Sequence, residues 1–191
     1  VFPIQSTVTG RRNLLKAGGL GLLLYQVDGA ERWLSPREAR GEAMPLSALS
    51  AVEVEILEAL GETLVPGARE EGIAHFVDHH LGVPAEDSLL TLRYLDIPPP
   101  YAAFYRAGLA ALDAASRKQH GKAFDELAPD AREALVAIMS HENPPGWKGP
   151  PAPLFYFALR SDAIDVVYGT VEGFDKLGIP YMPHIKPASR W

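Results

Sequence analysis

The chain has 191 residues, 18 Lys and Arg against 24 Asp and Glu, a formal net charge of −6, and no cysteine. That length fits one domain with an extension, and the acidic balance argues against a nucleic-acid partner, whose phosphates need clustered Lys and Arg. Without cysteine there is no disulfide framework, no thiolate nucleophile, no ordinary iron–sulfur cluster and no C-x-x-C-H haem attachment. The charge is also uneven. Residues 1–45 hold six basic and four acidic side chains, and residues 46–191 hold twelve and twenty, so a positive N-terminal piece precedes an acidic body.

The first element in the chain is Gly10-Arg11-Arg12-Asn13-Leu14-Leu15-Lys16, followed by an apolar run to Tyr25. It resembles a twin-arginine export signal, whose pattern is Ser or Thr, two Arg, any residue, then Phe-Leu-Lys. Arg11, Arg12, Leu15 and Lys16 match directly, Gly10 holds the Ser/Thr place with Thr9 one residue earlier, and Leu14 replaces Phe. Val1 to Lys16 carries three positive charges and no acid. The apolar run is shorter than the roughly 20 residues that span a bilayer. Gly18, Gly19 and Gly21 would each cost about 1 kcal/mol in a helix relative to alanine, which suits a signal better than the first helix of a soluble domain. Val27-Asp28-Gly29-Ala30 makes a poor small-x-small cleavage site, so the expectation is an uncleaved arm that packs on protein in the periplasm.

Residues 26–45 are mixed and charged and read as a linker or extended arm. The body, 46–191, opens with Ser50 and Glu53, the spacing of a capping box. Val52, Ile56, Leu57, Leu60 and Leu64 then follow at helical spacing until Val65-Pro66-Gly67 stops the run. A second helix is expected over Ile73, Phe76, Val77, His80 and Leu81, ending at Gly82, and a short third near Ser88 to Leu95. A longer one runs from Tyr101 through Tyr105, Gly108 and Leu112 to about Gly121. Another starts at Pro129, a residue favoured in a first turn, and points Leu135, Ile138 and Met139 inward. Asn143 to Pro153 is proline-rich loop. Leu154 to Phe174 resumes a helical period through Phe157, Ile164, Val167, Tyr168, Val171 and Phe174, before an extended tail from Gly178. The expected fold is all-α: an irregular domain of roughly five to six helices with a proline-rich loop, a C-terminal tail and an N-terminal arm.

Three stretches in this order are similar to the gluconate 2-dehydrogenase subunit 3 family. They are Val65-Pro66-Gly67-Ala68-Arg69-Glu70-Glu71-Gly72-Ile73 with Phe76-Val77-Asp78; Phe104-Tyr105-Arg106-Ala107-Gly108-Leu109 with Leu112-Asp113 and Phe124; and Phe155-Tyr156-Phe157-Ala158-Leu159-Arg160-Ser161-Asp162 leading to Gly178-Ile179-Pro180-Tyr181. Glu71 stands where the family pattern has a small residue. Tyr168 to Phe174 replaces a Gly-Gly-Asn and Trp segment of many relatives, which marks a distinct subgroup. The resemblance implies a non-catalytic small subunit that carries the export signal for a glucose–methanol–choline-type catalytic subunit and stabilises it. FAD is then expected in that partner and no cofactor in this chain. A c-type cytochrome is an optional third subunit, and membrane contact comes only through partners. The residues agree with the cofactor expectation: no G-x-G-x-x-G fingerprint follows a strand.

Other chemistry is weakly supported. His75 and His79 sit one helical turn apart, as two zinc ligands can, but H-E-x-x-H is absent and a third ligand is needed; both are expected to face solvent or a partner. No serine lies in a G-x-S-x-G elbow. Glu53, Glu55, Glu58 and Glu62 read as a solvated helix face, and Asp162 and Asp165 as surface or interface pairing. Trp33, Trp147, Tyr181, Met182, His184, Ile185 and Trp191 are the candidate partner interface, because obligate interfaces favour aromatics and Met at their buried centre. Two alternatives stay open: a free-standing periplasmic helical metalloprotein using His75 and His79, and a transient export or assembly chaperone.

Overall fold

In the computed structural model, which describes residues 22–27 and 29–180, two strands and eight α-helices follow in order. They are β1 (Leu23–Val27), β2 (Ala30–Leu34), α1 (Pro36–Gly41), α2 (Ala51–Leu64), α3 (Ile73–Gly82), α4 (Thr91–Tyr94), α5 (Tyr101–His120), α6 (Pro129–Met139), α7 (Ala152–Tyr168) and α8 (Val171–Lys176), with a 3-10 turn at Phe124–Glu126 before α6. The mostly helical class agrees with the sequence. Arg11, Arg12, Leu14, Leu15 and Lys16 of the signal-like segment, and Tyr181, Met182, His184, Ile185 and Trp191 of the tail, lie outside the described residues.

Helix boundaries follow local chemistry. At α2, the Ser50 side chain accepts from the Glu53 N–H while the Glu53 carboxylate accepts from the Ser50 N–H at 2.7 Å, so two orphan donors of the first turn are satisfied together. Ser35 and Glu38 build the same reciprocal cap on α1, with Pro36 at its first position. After α2 the chain turns sharply, with Gly67 at φ +94°, and the Glu62 carboxylate holds the turn by accepting from the N–H groups of Gly67 and Arg69 at 3.0 and 3.1 Å. At the end of α5 a left-handed Gly121 returns its N–H to the Arg117 carbonyl.

The core forms around α2, which contacts α3, α5, α6, α7 and the 3-10 turn. Ile56, Leu57, Ala59 and Leu60 supply its buried stripe. α7 lies against α3, α4, α5 and α6 and buries Phe155, Ala158, Leu159, Ala163 and Val167. It approaches α5 closely because residue 108 is glycine: a Cβ there would overlap the Phe155 ring.

Four parts of the sequence expectation need correction. Leu23–Leu34 forms an antiparallel hairpin in full register, Leu23 opposite Leu34 and Val27 opposite Ala30, where a signal tail and arm were expected. The arm also contains α1, and Leu23, Leu34 and Ala39 belong to the core. The C-terminal helical period breaks at Gly169, and Thr170 caps a separate α8 through the Gly173 N–H. Val52 and Phe157, read as inward, are exposed; each lies on the outer side of its helix, beyond the stripe that meets its neighbours.

Candidate partner interface

The ionisable side chains that could suggest catalysis are used by the fold itself. Asp78 on α3 is 4 % exposed, and its two carboxylate oxygens accept 2.8 Å hydrogen bonds from the N–H groups of Ser47, Ala48 and Leu49. It thereby fixes the loop entering α2. Asp162, read as surface pairing, is fully buried. It accepts from the Thr91 N–H at 2.8 Å and from the Tyr105 hydroxyl. Burial pushes its carboxyl up to about 6, and the Tyr105 and Thr91 donors oppose that rise. The Tyr105 hydroxyl is driven far upward by burial and by the neighbouring carboxylate. Asp162 is thus a joint between α4, α5 and α7.

Glu58 also departs from the expected solvated face. Residues 40 and 69 bring guanidinium groups to it, Arg69 Nε at 3.1 Å and Arg40 Nε at 3.4 Å, so the buried carboxylate ties α2 to α1 and to the loop before α3. Glu71, the departure from the family pattern, pairs with Lys176 at 2.9 Å and with Arg37 at 3.6 Å, tying the start of α3 to α8 and α1. These pairs are compatible with burial because each carboxylate keeps an opposite charge.

Of the two histidines expected to face solvent or a partner, His75 is buried and His79 is not fully exposed, while His80 lies on the inner face as its helical position implies. His75 and His80 are 6 % and 5 % exposed, and His79 is partly covered. Nε2 of His75 lies 3.2 Å from the Met44 carbonyl, an atom that can only accept, so the proton resides on Nε2 and Nδ1 is left bare. His80 accepts from the Leu89 N–H through Nδ1 and packs edge-on to Phe76. The Tyr25 ring lies 5.9 Å from that of His79, joining the hairpin to α3. Burial lowers all three imidazoles, and His79 beside it helps push His80 down to about 4. Among the described residues, no three His, Asp or Glu side chains converge as metal ligands.

Trp147, a candidate for the partner interface, is buried in the chain's own core. It packs 6.0 Å from the Phe155 ring within the core, and its indole N–H donates to the Pro150 carbonyl at 2.7 Å. That bond pins the proline-rich loop onto the chain's own helices. Trp33 is exposed on β2, directly across from the half-buried Leu24. Tyr94, Phe157, Leu177 and Ile179, which the sequence reading did not single out for this role, are the other large apolar side chains half exposed or more beyond α2 among the described residues.

Tyr94 borders a groove. A cavity of about 240 Å³ is lined by Phe76, Leu89, Tyr94 and Val166 together with Asp165. A second, of about 410 Å³, involves Leu22, Arg37, Glu38, Glu71 and Glu172. They share Pro36, Val166 and Thr170 and so adjoin each other beside α1 and α7. Burial raises the Asp165 carboxyl. Such a surface, apolar with a few charges, suits binding of a peptide or protein segment.

No curated protein and no solved structure matches the chain. Among protein families, gluconate 2-dehydrogenase subunit 3 matches residues 51–184, from the first residue of α2 to beyond α8. That span includes Asp78, Tyr105, Phe155 and Asp162, the side chains that join its helices, and the chain belongs to the gluconate 2-dehydrogenase subunit 3 family.

Proposed function

We propose that this chain is the non-catalytic small subunit of a periplasmic flavin-dependent dehydrogenase acting on a sugar, sugar acid or glycoside. In this reading it carries the twin-arginine signal for a glucose–methanol–choline-type subunit that holds FAD, and it stabilises that subunit by burying apolar surface against it. The observation that supports the reading best is the family match across α2 to α8. Half-exposed Phe157, Leu177 and Ile179 supply apolar surface for a partner, and aromatic residues such as Phe157 weigh heavily in interface energetics. Arg11, Arg12, Leu15 and Lys16 supply the export pattern. Among the described residues no helix is long and apolar enough to cross a membrane, so membrane contact in this reading passes through a partner such as a cytochrome.

The mechanism is linkage. A partner that binds the folded flavoprotein and not its unfolded chain stabilises it in proportion to the logarithm of the free partner concentration over Kd. Affinity capture of the chain from its host is the test. A flavoprotein retained in equimolar amount through gel filtration is the expected result. A chain that is soluble and monomeric alone and retains no flavoprotein would overturn the reading.

A further inference from the structure

The groove between α1 and α7 lies where the chain enters its fold. Leu22, the first described residue, lines its larger cavity, so the point where residues 1–21 join the domain is at the groove wall. The family match begins at residue 51, so Leu22, Pro36, Arg37 and Glu38 come from the preceding extension and Phe76, Tyr94, Val166 and Thr170 from the family domain.

The chemistry of the two sides is complementary. Residues 1–21 include Leu14, Leu15 and Leu20, with Arg11, Arg12 and Lys16 and no acid. The depression holds Glu38, Glu71, Asp165 and Glu172 against the single base Arg37. Glu71 is already neutralised by Lys176 and Arg37, and Glu38 is used as a cap. Asp165 and Glu172 have no ion-pair partner among the described residues. Both are exposed carboxylates that attract a nearby cation, and Lys16 is close in sequence to Leu22. The span from Leu15 to Leu22 can reach about 25 Å if extended, and it contains no proline. The C-terminal tail follows the far end of α8, and Pro180, Pro183 and Pro187 interrupt it.

We infer that the leucine-bearing stretch of residues 14–20 docks into the groove bounded by Pro36, Tyr94, Val166 and Thr170 of its own chain, with Lys16 facing the unpaired acids. The chain thereby covers its signal-like segment with its own domain. This inference stands apart from the proposed function, since it concerns one chain and needs no flavoprotein.

The absence of cysteine makes a clean test possible. In the full-length chain, Leu15→Cys is combined with Tyr94→Cys, or with Val52→Cys as a control at another exposed position. A short bismaleimide is then applied at low protein concentration. An intramolecular product forming severalfold faster with Tyr94→Cys than with Val52→Cys is expected. Equal rates, or products that are only intermolecular, would overturn the inference, the latter because a second copy would be supplying the segment. Efficient linkage of Met182→Cys rather than Leu15→Cys to Tyr94→Cys would also overturn it, by assigning the groove to the tail.

A second measurement guards against misfolding. The single variant Tyr94→Cys is alkylated in chains with and without Leu14→Ser, Leu15→Ser and Leu20→Ser, with helicity checked by circular dichroism. Alkylation is expected to speed up severalfold when the leucines are removed while helicity stays constant. An unchanged rate in a folded chain overturns the docking.

Discussion

Asp162 on α7 and Tyr105 on α5 meet in a hydrogen bond at full burial, and the same carboxylate holds the Thr91 N–H at the start of α4. A carboxylate in that position titrates differently in the folded and unfolded chain. Its folded value of about 6 lies above the ordinary 3.8. Between about pH 4 and 6 the folded state therefore binds more protons, and the contribution of Asp162 to stability falls as pH rises through that window. His80 acts in the opposite sense. Its folded value of about 4 lies below the ordinary 6.5, so the unfolded state binds more protons and stability rises with pH over about 4 to 6.5.

The two slopes partly cancel in the native chain, and substitutions separate them. Asp162→Asn keeps an acceptor for Tyr105 and is expected to leave a steeper rise in stability between about pH 4 and 6. His80→Asn keeps an acceptor near the Leu89 N–H and is expected to flatten or reverse that rise. Urea midpoints measured across this range decide the matter. Curves for both variants that run parallel to the native curve would show that neither group is shifted by the fold.

Gly108 permits α5 and α7 to touch, which gives a second prediction. Gly108→Ala gains about 1 kcal/mol of helix propensity but forces a methyl group into the Phe155 ring. Overpacking of this kind costs about 1–3 kcal/mol, so a net loss of stability is expected. Adding Phe155→Leu makes room, and the double variant is expected to be more stable than the sum of the single losses. Strict additivity in thermal or urea unfolding would mean that the ring moves aside freely.

The helices of the family domain were legible because caps, periodicity and breakers agreed there: Ser50 with Glu53, Gly82 after α3, Pro129 at the start of α6. The hairpin was missed although Asp28-Gly29 between apolar runs is a strong two-residue hairpin signal. Its strands are only five residues each, and the first continues the apolar stretch of the export-like segment. α1 was equally available from Ser35, Pro36 and Glu38, the same cap pattern recognised at Ser50. Burial of Glu58, His75 and Asp162 was not legible, because each depends on partners 11 to 71 residues away, Arg40 and Arg69, Met44, and Tyr105 and Thr91. The groove was hidden for the same reason, since it joins residues from α1, α3, α4 and α7.

The two tryptophans singled out from the sequence are expected to separate by experiment. Trp147→Ala removes a buried ring and the bond that pins the proline-rich loop, and a loss of about 3–5 kcal/mol of stability is expected. Trp33→Ala changes an exposed side chain, and the isolated chain is expected to shift by no more than about 0.5 kcal/mol. In the proposed complex the same substitution is expected to weaken retention of the flavoprotein, with a cost above about 1 kcal/mol if Trp33 lies at the centre of the interface. Unfolding of the free chain and titration with the partner are measured side by side. Full retention by Trp33→Ala would remove that residue from the interface and leave Phe157, Leu177 and Ile179 to be tested in the same way.

The export reading depends on two guanidinium groups rather than on positive charge alone. Arg11→Lys with Arg12→Lys preserves the charge of the segment but replaces planar, five-donor groups with compact ammonium ions, a change that is not conservative where a receptor reads geometry. The substituted positions precede the family-matched span by about 40 residues, so folding and binding of the flavoprotein are expected to be unchanged. Export should nonetheless fall, and flavoprotein activity is expected to accumulate in the cytoplasmic fraction as a complex with this chain. Fractionation of cells expressing native and substituted chains, with gel filtration of each fraction, reads location and association separately. If the complex reaches the periplasm undiminished, the Arg pair is not its address. If the flavoprotein is exported with no subunit bound, it carries an address of its own, and the role left to this chain is stabilisation after export.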